Sequence, residues 1–183
     1  GGLDAMFFTL FVTEDYYPGR HETRQTLRLI DEAYRQVEKN SSAIALAYSA
    51  SDIETLNKQG KIAALLDIEG SFDLDGDLRV LRMLHRLGVR SIQLPAHNYA
   101  NSFAESCCAP AKFTGLTAHG EAVVRECNRL GIVINISHAS TSAAERAIEV
   151  SRHPLVATHD GLRSRNNIPR LLTEATLKKL AAK

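Results

Sequence analysis

The chain has 183 residues, 44% hydrophobic and 23% charged, which is long enough for one domain with a real core. Its 22 Lys and Arg nearly cancel 21 Asp and Glu, leaving a net charge of +1, so the basic footprint of a nucleic-acid binder is absent. No apolar run reaches the length of a membrane span, and no charged-then-apolar leader opens the chain. Three cysteines, Cys107, Cys108 and Cys127, make a poor disulfide framework because the number is odd and two are adjacent. Free thiols in a reducing compartment, and hence a cytoplasmic location, are the expectation.

Residues 6–12 (MFFTLFV) form a nearly continuous apolar run, which predicts a strand buried on both faces. A polar loop over 13–19, with Pro18-Gly19, ends it. Leu27, Ile30, Tyr34 and Val37 recur at helical steps and predict a helix over 22–38. Residues 43–48 read as a weaker strand. Ser51 and Glu54 form a capping-box pattern for a short helix ending near Gly60. The run 61–68 predicts a strand that hands over to Glu69-Gly70. Leu78, Leu81, Leu84 and Leu87 then mark a helix that Gly88 terminates.

Residues 89–94 predict another strand. A long polar segment, 97–116, follows; loops of that length are usually functional or mobile. Thr117 caps a helix through Leu130, Gly131 stops it, and a strand over 132–136 begins. Ser142 with Glu145 repeats the capping-box pattern for a helix to about Ser151. A last short strand, 155–157, has Pro154 at its edge. Pro169 opens or precedes a final helix with Leu172, Leu177 and Leu180. Strand and helix alternate throughout, which argues for a parallel sheet with helices outside it, in one domain over 1–183.

Parallel strands place their carboxyl ends along one rim, where α/β proteins keep their chemistry. Four strands deliver polar side chains there: Glu69, His97, His138 and His159. Glu69 alone is most simply a salt-bridge partner, because an isolated buried charge is very costly. Either His138 or His159 alone is most simply a hydrogen-bonded rim histidine. Together, at equivalent strand ends, two imidazoles and a carboxylate suit a divalent transition metal, zinc first. Such an ion lowers the pKa of its bound water to about 7 and so generates a nucleophile at neutral pH.

Other candidates are weaker. Asp73, Asp75 and Asp77 fail the calcium-loop pattern, which needs glycine and glutamate where Leu78 and Leu84 stand; they read as the solvated start of a helix. Arg163 reads as a surface charge, while Arg165 is suited to gripping a substrate carboxylate. Cys107 and Cys108 lack a second ligand pair and read as loop or packing residues. His21, His85, His119 and His153 lie away from strand ends and carry no assigned chemistry.

The stretches GGLDAMFFTLFV, GKIAALLDIEGSF, LRMLHRLGVRSIQL, GLTAHGEAVVRECNRLGIVINISHAS, EVSRHPLVATHDG and RNNIP together resemble the membrane (renal-type) dipeptidase family of zinc peptidases, in family order and over nearly the whole chain. The resemblance implies an α/β, (β/α)8 TIM-barrel-like fold of the metal-dependent hydrolase type. It implies two zinc ions bridged by Glu69, with His138 and His159 holding one of them. It also implies that His97 contacts the substrate, a dipeptide, and that Arg165 binds its terminal carboxylate. A homo-oligomer stays open. The family's opening strand carries a His-x-Asp pair that completes the other zinc site, and no His-x-Asp occurs in this sequence. Nothing after Leu171 resembles the family's last two strands. The expectation is therefore an incomplete barrel of about five of the eight strands, in a fragment of a longer protein whose N-terminus is not Gly1. Two alternatives accompany the dipeptidase reading: another metal-dependent amide hydrolase on the same barrel, and a catalytically inert piece that binds a partner.

Overall fold

Every strand pairing in the sheet is parallel, as expected where helices carry the chain back between successive strands. In this computed structural model, residues 2–16, 21–70 and 73–183 are described; the Pro18-Gly19 turn lies outside them. Strands β1 (Ala5–Val12), β2 (Ile44–Leu46), β3 (Ile62–Gly70), β4 (Val89–Gln93) and β5 (Val133–Asn135) alternate with helices. These are α1 (Glu22–Lys39), α2 (Ala50–Lys58), α3 (Leu78–Arg86), α4 (Ala118–Leu130), α5 (Thr141–Val150) and α6 (Glu174–Ala181). The sheet order is β1-β3-β4-β5, with β2 paired to the start of β3. Ala63 of β3 pairs with both Ala5 and Ala45, so β2 lies on the opposite edge of β3 from β1, ahead of the point where β4 begins at Leu66↔Val89. Beyond β5, Val156 adds a parallel bridge: its N–H donates to Ile134 O and its carbonyl accepts from Ile136, both at 2.9 Å. The expected strand over 155–157 is thus a single bridged residue. Pro154 has no N–H to extend the ladder upstream. The result is one arc of a (β/α) barrel.

The core lies between this arc and the helices. Leu66, Ile68, Ile92, Leu94, Ile134 and Ile136 are fully buried in the strands or just past their ends. Leu81 and Leu84 of α3, Val123, Val124 and Cys127 of α4, and Ala143, Ala144 and Ala147 of α5 pack in the same cluster. Strand β1 departs from expectation. It occupies a sheet edge among the described residues, and Met6 and Phe11 remain exposed, whereas burial on both faces needs neighbours on both sides. Helix α1 buries Thr26 and Ile30 but leaves Leu27 and Tyr34 exposed.

Two helix starts fall two residues earlier than their capping-box patterns suggest. The cap of α2 is Ser49, whose hydroxyl accepts from Asp52 N at 3.2 Å, while Asp52 accepts from Tyr48 N. The cap of α5 is Ser140, accepting from Ala143 N at 3.2 Å. Helix α6 starts at Glu174 under a Thr173 cap, so Pro169 and Leu172 precede it. The three aspartates have separate tasks. Asp73 accepts from Ser102 N at 2.8 Å, Asp75 accepts from the Thr23 hydroxyl at 2.8 Å, and only Asp77 starts a helix, accepting from Arg79 N at 2.8 Å.

The long segment over 97–116 is packed. Phe103, Ala104, Glu105 and Ser106 are buried. Glu105 N donates to Gly115 O, Cys107 N to His138 O and Ser140 N to Glu105 O, and the Glu105 carboxylate accepts from Lys112 N and Phe113 N. Polar composition misleads here because the segment's backbone groups are satisfied within it and by His138 and Ser140. Cys107 and Cys108 form a disulfide, which corrects the free-thiol expectation: the turn joins adjacent sulfurs that no framework count anticipates. Only Cys127 stays free, buried in the core.

On the outer layer, Glu126 of α4 pairs with Arg129 at 2.7 Å and Arg82 of α3 at 2.6 Å. The Arg129 hydrogen bond first, then that of Arg82, holds its carboxyl down at about 2, against the opposing effect of burial. A depressed carboxylate pKa stabilises the fold above the ordinary value, and that stability is lost as pH falls through the folded one. Thermal melts of the protein and of Glu126→Gln are therefore expected to differ at pH 6 by about 1–2 kcal/mol, discounted for solvent screening, and to converge as pH approaches about 2. A constant difference across that window would assign the effect to packing.

Candidate metal centre

Glu69 is the penultimate residue of β3, one before Gly70, so the strand runs two residues past the expected end at Ile68. His138 follows β5 by three residues, and His159 follows the bridged Val156 by three. Equivalent strand ends bring the three side chains together. The Glu69 Oε1 lies 3.2 Å from His159 Nε2 and 4.0 Å from His138 Nε2, and the two Nε2 atoms are 3.1 Å apart. All three ligand atoms lie within 4.8 Å of one another. Two imidazoles on one tetrahedral zinc ion, each at about 2.05 Å, place their nitrogens about 3.3 Å apart, so the observed convergence fits a shared cation.

The environment suits ligands. His138 is 8% exposed. Burial, reinforced by the Arg170, His97 and His159 charges, pushes its imidazole down to about 3, so it is neutral at physiological pH and offers a lone pair. His159 Nδ1 lies 2.8 Å from the Thr158 hydroxyl, which accepts from Asn135 Nδ2 at 2.8 Å. If His159 Nδ1–H donates to Thr158, Nε2 presents its lone pair to the centre, which is the usual orientation of a metal-binding histidine. Asp67, on the same face of β3 two residues earlier, is buried. Desolvation raises its carboxyl pKa, and its Oδ2 accepts from the Thr9 hydroxyl at 3.3 Å.

His97 and His138 both have positive φ, 55° and 65°, a sparsely populated conformation for residues with a Cβ that persists where surrounding structure enforces it. The His97 ring centroid lies 4.0 Å from that of His138 and 5.3 Å from that of Phe11. Its Nδ1 is 3.5 Å from Glu14 Oε1. Beside it opens a cavity of about 440 Å³ lined by Phe11, Thr13, Glu14, Asp15, His97 and Asn98.

Arg165 lies exposed in a turn, its N–H donating to Leu162 O at 3.0 Å. Arg163 is half-buried and structural: its guanidinium donates to Leu171 O at 3.1 Å and Pro169 O at 2.7 Å. A third arginine, not anticipated from sequence, reaches closer to the centre. Arg170 pairs with Asp160 and donates to His159 O at 2.8 Å, while Asp160 accepts from the Ser137 hydroxyl at 2.8 Å. This tie fixes the backbone of His159 against that of His138. The signal available was Asp160 beside His159. Its partner depends on the 162–172 loop folding back through the Leu162↔Leu172 bridge.

The family profile described as membrane dipeptidase, peptidase family M19, matches residues 1–183. Dipeptidase tcpJ of Claviceps purpurea is 34% identical over 167 residues, covering 87% of this chain and 39% of the relative. Dipeptidase 3 of Mus musculus is 34% identical over 154 residues, covering 81% and 31%. Among solved structures, the probable dipeptidase PvdM from Pseudomonas aeruginosa superposes with a TM-score of 0.89 at 25% identity, covering 98% of this chain and 48% of that one. The chain thus spans less than half the length of each. No helix among the described residues is long and apolar enough to cross a membrane. The cytoplasmic expectation is overturned all the same: the matching family is the membrane dipeptidases, with mammalian Dipeptidase 3 among the relatives, and the thiols that suggested a reducing compartment are joined. By its match to that profile, the chain belongs to the membrane dipeptidase family, peptidase family M19.

Proposed function

We propose that the protein is a zinc-dependent dipeptidase in which Glu69, His138 and His159 hold the metal. The observation that carries this reading is the approach of one carboxylate oxygen and two imidazole Nε2 atoms to within 4.8 Å of one another. The donor set of two nitrogens and one oxygen fits zinc. When bound, the ion supplies Lewis acidity and activation of water. The chain's own residues do the rest. His97, its ring tilted against that of His138, hydrogen-bonds the substrate carbonyl oxygen as negative charge develops. Arg165 grips the terminal carboxylate and contributes positioning. Glu14 and Asp15, at the wall of the cavity beside His97, suit the cationic amine at the other end of a dipeptide.

A substrate panel tests this. The zinc-loaded protein is expected to cleave dipeptides with both ends free and to leave N-acetylated and C-amidated analogues intact. Cleavage of the acetylated analogues at equal rates would point to a different amide hydrolase, and no cleavage of any would favour an inert role. Thr158→Val removes the oxygen that orients His159 and is expected to weaken zinc affinity about 10–100-fold, read by competition with a chromogenic chelator. Unchanged affinity would mean that Thr158 does not set the His159 tautomer.

A further inference from the structure

His138 belongs to a second set of potential ligands as well. Cys107, Cys108 and His138 each offer an atom within 4.8 Å of the other two. The backbone holds them in place: Cys107 N donates to His138 O at 2.8 Å, and Ser106 and Ala139 form an antiparallel bridge. His138 Nδ1 is buried with no hydrogen-bond partner among the described residues, in a side chain 9% exposed. Buried polar atoms are nearly always satisfied, so an orphaned nitrogen on a histidine grouped with two sulfurs points to a missing ligand. Cys108 is exposed, so a reductant can reach its sulfur.

We propose that the reduced Cys107–Cys108 pair and His138 form a second, thiolate-rich site for a soft divalent cation. Two equivalents of a small thiol, or one dithiol, break the S–S bond; the reductant leaves as its disulfide, and Cys107 and Cys108 gain the two hydrogens. Binding of the cation then releases the two thiol protons. Two thiolates and one imidazole suit zinc, cadmium or cobalt and leave one position open. The sulfurs need separate only to about 3.8 Å, the spacing of two thiolates on a tetrahedral ion. Neutral imidazole has a single lone pair, so His138 serves one cation at a time. Reduction of the disulfide thereby draws His138 away from Glu69 and His159. This competition rests on the metal-centre reading above; the thiolate site does not.

Cobalt(II) spectroscopy tests both parts. The protein is prepared oxidised, and separately reduced with a dithiol that is then removed under argon, before loading with cobalt(II). The reduced protein should show a near-ultraviolet thiolate-to-cobalt charge-transfer band that is absent from the oxidised protein. The band should vanish in the double variant Cys107→Ser, Cys108→Ser and survive in Glu69→Gln. Absence of the band from the reduced protein, or its persistence in the double variant, would overturn the site. Elemental analysis addresses the sharing: reduced and oxidised proteins should hold equal cobalt. An extra ion in the reduced protein over a cobalt-loaded oxidised one would overturn the competition. An oxidised protein that binds none, with the reduced band intact, would overturn the Glu69 centre and leave the thiolate site standing.

Discussion

Glu69→Gln is expected to lower zinc affinity by more than about 100-fold, beyond what loss of an outer partner costs, and to remove peptide hydrolysis with it. Glutamine keeps the shape of the side chain and loses the charge, so the change isolates the carboxylate. The same oxygen faces His159 at 3.2 Å and His138 at 4.0 Å, and a neutral amide there offers a cation a much weaker ligand. Stability should move little, by about 1 kcal/mol or less, because at neutral pH His138 is uncharged and His159, the nearer partner, has a side chain 42% exposed, where an ion pair contributes little. Isothermal titration with zinc and a thermal melt give the two readings. Full metal stoichiometry at unchanged affinity would remove Glu69 from the centre. A collapse of the melt would assign it a structural role instead.

Gly70→Ala is expected to be among the most damaging single changes to the fold. Gly70 has φ +95°, and a Cβ there would lie 2.2 Å from Val12 O and 2.9 Å from Val12 N. The obstacle is the backbone of β1, paired at Val12↔Gly70, which cannot swing aside as a side chain can. Strained φ and the clash together are expected to cost about 3–5 kcal/mol. Relief requires β1 to splay from β3 at the residue next to Glu69, so zinc affinity should fall as well. Gly60→Ala is the control: its φ is +71°, with nothing within 4 Å of the new Cβ, and about 1 kcal/mol is expected. Equal urea midpoints for the two variants would mean that the close approach at Gly70 is not real.

Much of this architecture was legible because parallel strands in a covered sheet tend to be apolar runs, and β3 and the stretch 132–136 around β5 are such runs. The convergence of Glu69, His138 and His159 follows from placing each at or just past a strand end, since parallel strands share one rim. The parts that were not legible depend on tertiary context. Ser-Ala-Ser at 49–51 and Ser-Thr-Ser at 140–142 each offer two serines at capping spacing, and each helix starts at the first, whose hydroxyl accepts from Asp52 N or Ala143 N. The apolar composition of β1 cannot say that its outer edge goes unpaired among the described residues. The packing of 97–116 depends on contacts with His138 and Ser140 far along the chain. The Arg170–Asp160 tie exists only once the 162–172 loop has folded back. Adjacent cysteines carry no sequence signal for a disulfide with each other.

The central claim is that Glu69, His138 and His159 bind one cation between them. Anomalous scattering at the zinc edge, from crystals of the zinc-loaded oxidised protein, tests it most directly. The account predicts a peak at about 2.0–2.2 Å from Glu69 Oε1, His138 Nε2 and His159 Nε2. An ordered, zinc-saturated protein with no peak among these three atoms, or with its peaks elsewhere, would contradict it.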